Sequence, residues 1–110
     1  MQKSYLAFQA IDKGIRVHGN AQNDTPPTDR FWINSAIAVT NTTTFEDVKA
    51  KIDEAITNKQ WCIIMLHGID PEKSGFYEIT PTLLKEILQY INSKGREQLL
   101  PVCTRDALKF

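Results

Sequence analysis

The run Trp61-Cys62-Ile63-Ile64-Met65-Leu66 constrains the fold more than any other part of the chain. It contains no polar alternation and stops abruptly in His67-Gly68-Ile69-Asp70-Pro71. A short, continuously apolar run bounded by turn residues suits a strand covered on both faces, as in a parallel sheet overlaid by helices.

The flanking segments supply such helices. Thr43 and Glu46 have the spacing of a capping box, which satisfies amide groups at a helix start. Phe45, Val48, Ile52, Ala55 and Ile56 then share one face of a helix running to about Asn58, with Lys49, Lys51, Asp53 and Glu54 mainly on the others. After His67 a loop runs to Ile79. Thr80 caps a second helix with proline at its first position, and Leu84, Ile87, Leu88 and Ile91 form its buried stripe before Gly95 ends it. Leu99–Cys103 reads as the next strand, and Thr104 caps a last helical turn.

Upstream, Tyr5, Phe8 and Ile11 recur at a helical interval with Gly14 as a stop, which predicts a helix over residues 3–12. Gly14–His18 is a short strand candidate. Gly19–Arg30 contains Pro26 and Pro27, which cannot join a central ladder, and reads as a long surface loop. Phe31–Val39 is rich in apolar and β-branched residues, as a strand requires.

The resulting order, α-β-loop-β-α-β-α-β-α, implies an α/β fold. The strands Phe31–Val39, Trp61–Leu66 and Leu99–Val102 should run parallel, with helices Phe45–Asn58 and Pro81–Lys94 packed against them. Sites in such folds gather where the C-terminal ends of strands meet their loops. His67 lies at such an end, as do Thr40, Asn41 and Thr42 after one strand and Thr104 after another.

With 110 residues the chain suits one domain, residues 1–110. A complete eight-unit barrel needs roughly 250 residues, so only a few β/α units fit. Thirteen basic and thirteen acidic side chains cancel, which argues against nucleic acid or an anionic membrane as partner. No apolar run approaches the ~20 residues that span a bilayer, and the opening decapeptide MQKSYLAFQA lacks the apolar stretch and cleavage site of a signal peptide. The compartment stays open. Cys62 and Cys103 do not have metal-ligand spacing. They would sit at opposite ends of neighbouring strands, too far apart for a disulfide, so both read as reduced, structural thiols.

Several residues carry two readings. Arg16 would sit near a sugar or carboxylate, or in a surface salt bridge. His18 is a lone histidine in a polar loop, more in keeping with solvent than with a metal. Trp32 and Phe31 would stack on a sugar ring or pack in their strand. Asp70 would orient His67 or touch substrate, or simply begin the Asp-Pro turn.

The segment Trp61–Asp70 resembles the last conserved motif of polysaccharide deacetylases, carbohydrate esterase family four, in which an apolar strand ends in Leu-His. Lys13-Gly14-Ile15-Arg16, Thr44–Lys49, Tyr77–Thr80 with Leu84 and Leu88, Leu100-Pro101-Val102 and Thr104–Leu108 resemble the strands and helices around that motif, so the likeness covers nearly the whole chain. It implies a parallel-strand partial (β/α) barrel, the C-terminal half of a distorted seven-stranded deacetylase barrel.

By the same resemblance His67 is the catalytic acid that protonates the leaving amine or alkoxide. Leu66 lines an acetyl pocket, and Arg16 and Asp70 are the other substrate-side residues. The family binds a divalent metal such as zinc through N-terminal aspartate and histidine motifs. This sequence has no Asp-Asp pair and no His-x-x-x-His, and no aspartate ends the strand before His67. The expected cofactor set of this chain is therefore none, with metal and base supplied from elsewhere. An acetylated glycan is the implied substrate. The alternative is a non-catalytic half-barrel that binds carbohydrate or pairs with a second copy or an N-terminal half through its open strand edges.

Overall fold

In a computed structural model of the chain, the structure describes residues 4–9, 16–18, 21–25, 27–29, 32–72 and 75–107. Strands β1 (Ser4–Gln9), β2 (Arg16–His18), β3 (Trp32–Asn34) and β4 (Ile37–Ala38) precede helix α1 (Phe45–Asn58). Strands β5 (Trp61–Met65), β6 (Gly68–Ile69) and β7 (Glu78–Ile79) lead to helix α2 (Pro81–Lys94), followed by β8 (Leu99–Pro101) and the short helix α3 (Thr104–Ala107). The main sheet has the order β4-β5-β1-β8, and β2–β3 and β6–β7 form separate pairs. Among the described residues every pairing between these strands is parallel, beside an isolated antiparallel bridge between Asn23 and Trp61.

Strand β5 explains why its sequence lacks alternation. Its side chains do alternate between faces, but both faces are covered. Cys62 and Ile64 join the cluster built with Val48, Ile52 and Ala55 of α1 and Ile87 and Ile91 of α2. Trp61 and Ile63 join the opposite cluster, with Ile33 of β3 and Ala107 of α3. Trp61, Cys62, Ile63 and Ile64 are all essentially inaccessible, and burial of a large apolar side chain contributes about 1.5–3 kcal/mol. The Trp61 Nε1 and Ser35 Oγ atoms are buried with no hydrogen-bond partner among the described residues.

Several expectations need correction. The segment expected to be a helix over 3–12 is β1 across Ser4–Gln9, held between β5 and β8; the helical spacing rested on three residues, and ladders formed on both sides of the segment outweigh it. Residues 3 and 10–12 lie outside the described part. The strand expected over Phe31–Val39 is two: Trp32–Asn34 pairs with β2, whereas Ile37–Ala38 pairs with β5. Between them Ser35 and Ala36 are buried, with the Ser35 carbonyl accepting from the Ala21 amide (3.2 Å) and the Ala36 amide donating to the Ile63 carbonyl (2.9 Å). The chain thus changes sheet within two residues.

The cap of α1 is one residue later than expected. The Thr44 hydroxyl accepts from the Asp47 amide (3.2 Å), and the Asp47 carboxylate accepts from the Thr44 amide (2.9 Å). Thr43 is unavailable because its hydroxyl accepts from the Thr40 amide in the preceding turn (2.9 Å). The hydrogen bonds to Thr44 hold the Asp47 carboxyl below its ordinary value. Helix α1 ends at Lys59 in the left-handed region (φ 56°), and α2 starts at Thr80–Pro81 as expected and ends at Gly95, whose φ of 75° favours glycine. On α2, Ile87 and Ile91 are buried but Leu88 is 47% exposed, because α2 turns that position away from the sheet.

The strand order also departs from that of a barrel arc, in which consecutive strands lie side by side. Here β1 separates β5, which bears Cys62, from β8, which Cys103 follows, so the two thiols do not lie on neighbouring strands. What the sheet keeps is a change of face. The chain leaves β5 for α2 on one face, while β3, reached after β1, lies on the other. Where neighbouring strands send their connections to opposite faces, a crevice opens at their carboxyl ends. Gln9 and Met65 pair side by side at the carboxyl ends of β1 and β5. Among the described residues no helix is long and apolar enough to cross a membrane.

Candidate functional site at the end of the buried strand

Beyond Met65 the chain emerges from cover one residue at a time. Leu66 is half-buried and still packs on the α1/α2 cluster. His67 is exposed. Gly68 then turns the chain into the β6–β7 pair, its amide donating to the Tyr77 carbonyl (3.3 Å). The Asp70 amide donates to the Ile79 carbonyl (2.8 Å).

The returning segment is pinned from several sides. The Phe76 carbonyl accepts from the Asn41 amide (2.8 Å), which ties it to the loop after β4. The Glu78 carboxylate accepts from the Gly75 amide (3.1 Å), while the Glu78 amide donates to the Gly75 carbonyl (3.2 Å). The Glu78 side chain passes close over both glycines. A Cβ on Gly68 would meet the Glu78 Cγ at 3.0 Å, and one on Gly75 would meet the Glu78 Cδ at 3.1 Å.

This fixed turn sets aromatic rings beside the histidine. The His67 and Tyr77 ring centroids are 4.6 Å apart at an interplanar angle of 48°. Phe76 stands edge-on to Tyr77, at 4.8 Å and 85°. Phe76 is 59% and Tyr77 51% exposed. Among the described residues no side chain is hydrogen-bonded to the His67 imidazole, and the residue is exposed.

Of the residues anticipated from sequence, His67 and Leu66 sit together at the carboxyl end of β5. Asp70 is nearby in sequence, but its carboxylate accepts from the Glu72 amide (3.0 Å), the turn-starting arrangement. The Arg16 backbone lies in β2, paired with Trp32 and in a different sheet from β5. The side chains of Arg16 and His18 lie outside what the structure describes, as does Phe31. Thr40, Thr42 and Thr43 bond to one another in the turn after β4. Sequence reasoning passed over Phe76, and treated Tyr77 only as the lead-in to α2. The available signal was two adjacent aromatics in a Gly/Ser-containing loop, a place where burial does not explain them.

Trp32, 49% exposed, borders a separate surface cleft with Asn23, Asp24, Asp29 and Asn34. That cleft lies at the opposite end of β5, because Asn23 bridges to Trp61, the first residue of the strand. Cys103 is an exposed free thiol after β8, whereas Cys62 is buried; burial pushes the Cys62 thiol up to about 12.

Among the described residues no three His, Cys, Asp or Glu side chains are grouped so as to hold a metal ion. What the arrangement offers is proton transfer from an exposed imidazole next to an aromatic surface. Comparison of the chain with protein-family models, curated proteins and solved structures finds no match.

Proposed function

We propose that residues 1–110 act as the C-terminal part of a polysaccharide deacetylase in which His67 is the proton donor for removal of N- or O-acetyl groups from a glycan. The observation that carries this reading is an exposed imidazole two residues beyond a doubly covered parallel strand. Its position next to the half-buried Leu66 gives the Leu-His motif a structural sense. Leucine supplies an apolar wall, and histidine reaches the solvent side, where a leaving nitrogen or oxygen takes the proton. Asp70 is better used in its turn than as an orienting partner.

A general acid alone contributes about 10²–10⁴-fold, too little to cleave an amide or ester without an activated water. Activation of that water belongs to residues outside this chain, carried on an N-terminal half with the aspartate and histidine motifs. The isolated chain should release no acetate from acetylated chitooligosaccharides or acetylated xylan, even with added divalent metal. With a partner fragment that restores activity, His67→Ala should lower acetate release at least about tenfold. Unchanged release after that substitution would remove His67 from the reaction.

A second reading, a non-catalytic half-barrel that pairs with another chain, has its own support. Leu88 is exposed on α2, and β8 forms an edge of the main sheet. Restored activity on mixing the two halves separates the readings, since mere pairing yields a complex without acetate release.

A further inference from the structure

We propose that Phe76 and Tyr77 form a sugar-stacking platform beside His67, which takes the apolar face of a pyranose ring and leaves its substituents within reach of the imidazole. The inference deepens the deacetylase reading and rests on it only for the expectation that the ligand is a glycan.

Three features support a ligand platform here. The rings stay exposed although the turn carrying them is held by the Asn41–Phe76, Gly68–Tyr77 and Gly75–Glu78 hydrogen bonds. Their exposure is therefore a property of a fixed turn, and fixed exposed aromatics in a loop are characteristic of binding surfaces. The rings also meet at 85°, which makes a corner with walls of ring carbon. The Tyr77 hydroxyl and the His67 nitrogens supply a polar rim. A pyranose has the complementary character, with C–H groups on its faces and hydroxyls around its edge, and tyrosine suits such a surface because its ring is apolar and its tip polar.

Size is the third feature. A fully exposed aromatic side chain offers roughly 150–250 Å², so two half-exposed rings offer about 200 Å² together. A stable protein interface buries about 800 Å² per partner. The corner thus has the footprint of a sugar, not of a protein.

The test is calorimetric titration of the chain with a β-1,4-linked N-acetylglucosamine tetramer and with cellotetraose, which lacks the acetamido group. Both should bind, because the platform reads the ring face. Phe76→Ala and Tyr77→Ala should each weaken binding about two- to tenfold, the range of a single aromatic contact. Tyr77→Phe should stay within about twofold of the parent, since the ring is kept. Both positions are exposed, and circular dichroism before titration confirms folding.

Equal binding by the Phe76→Ala/Tyr77→Ala double variant would overturn the platform while leaving the role of His67 to the acetate measurement. Absence of binding by either tetramer would also overturn it. So would loss of self-association, rather than of glycan binding, in the double variant, because the corner would then be a contact between copies. Conversely, platform-dependent binding together with full acetate release by the His67→Ala chain mixed with its partner fragment would retain the platform and remove His67 as the proton donor.

Discussion

The two ends of strand β5 are built on opposite terms. At its start, Trp61 is inaccessible, and its backbone exchanges hydrogen bonds with Asn23 in both directions (3.1 and 2.8 Å). The Asn23 side chain completes the closure. Its amide donates to the Asn34 carbonyl (2.7 Å) and the Trp61 carbonyl (3.3 Å), and its oxygen accepts from the Asn34 amide (2.8 Å). At the other end the strand runs out into an exposed histidine and two exposed rings. A buried amide that satisfies its neighbours makes the first end a structural anchor. The second end keeps its polar groups toward solvent, where they are available for chemistry.

That difference predicts a separation of stability from function. Trp61→Ala removes a large buried ring and should cost about 3–5 kcal/mol, and Asn23→Ala about 1–3 kcal/mol because it strands buried backbone groups. His67→Ala and Phe76→Ala, at exposed positions, should stay within about 0.5 kcal/mol of the parent. Urea unfolding of the four variants measures this. A loss of several kcal/mol for His67→Ala would make the open end a structural element and break the contrast.

The body of β5 differs from its open end in a second way, through Cys62. Burial, the largest influence, raises its thiol from 9.0 to about 12, and Gln22 offsets part of this. A folded-state value raised above the unfolded one gives stability that is fully present below pH 9 and is lost as the pH climbs toward about 12. The melting temperature of the parent should therefore fall across that window more steeply than that of Cys62→Ala. Equal slopes would place Cys62 in contact with solvent.

Sequence legibility follows the distinction between local and distant determinants. Helices α1 and α2 could be read because caps, proline position and apolar spacing all lie within the segment, although Thr44 rather than Thr43 makes the cap. Strand β5 could be read because cover on both faces leaves no polar residue inside it. Strand β1 could not, since its state depends on ladders to segments more than fifty residues away. The switch of sheet at Ser35–Ala36 was hidden for the same reason, as each half alone is a plausible strand. At the candidate site, His67 was marked by the abrupt end of the apolar run. The aromatic corner was not, because Tyr77, with Phe76 against it, meets His67 only through the return of the chain to β6.

The proposed glycan site at the open end of β5 is tested most directly by an amide chemical-shift map of the ¹⁵N-labelled chain titrated with the N-acetylglucosamine tetramer. The predicted shifts fall on Leu66–Asp70 and Gly75–Glu78, with Asn23 and Trp61 unmoved. Shifts confined to Trp32, Asn23 and Asn34 at the opposite end, with His67 and Tyr77 silent, would contradict it.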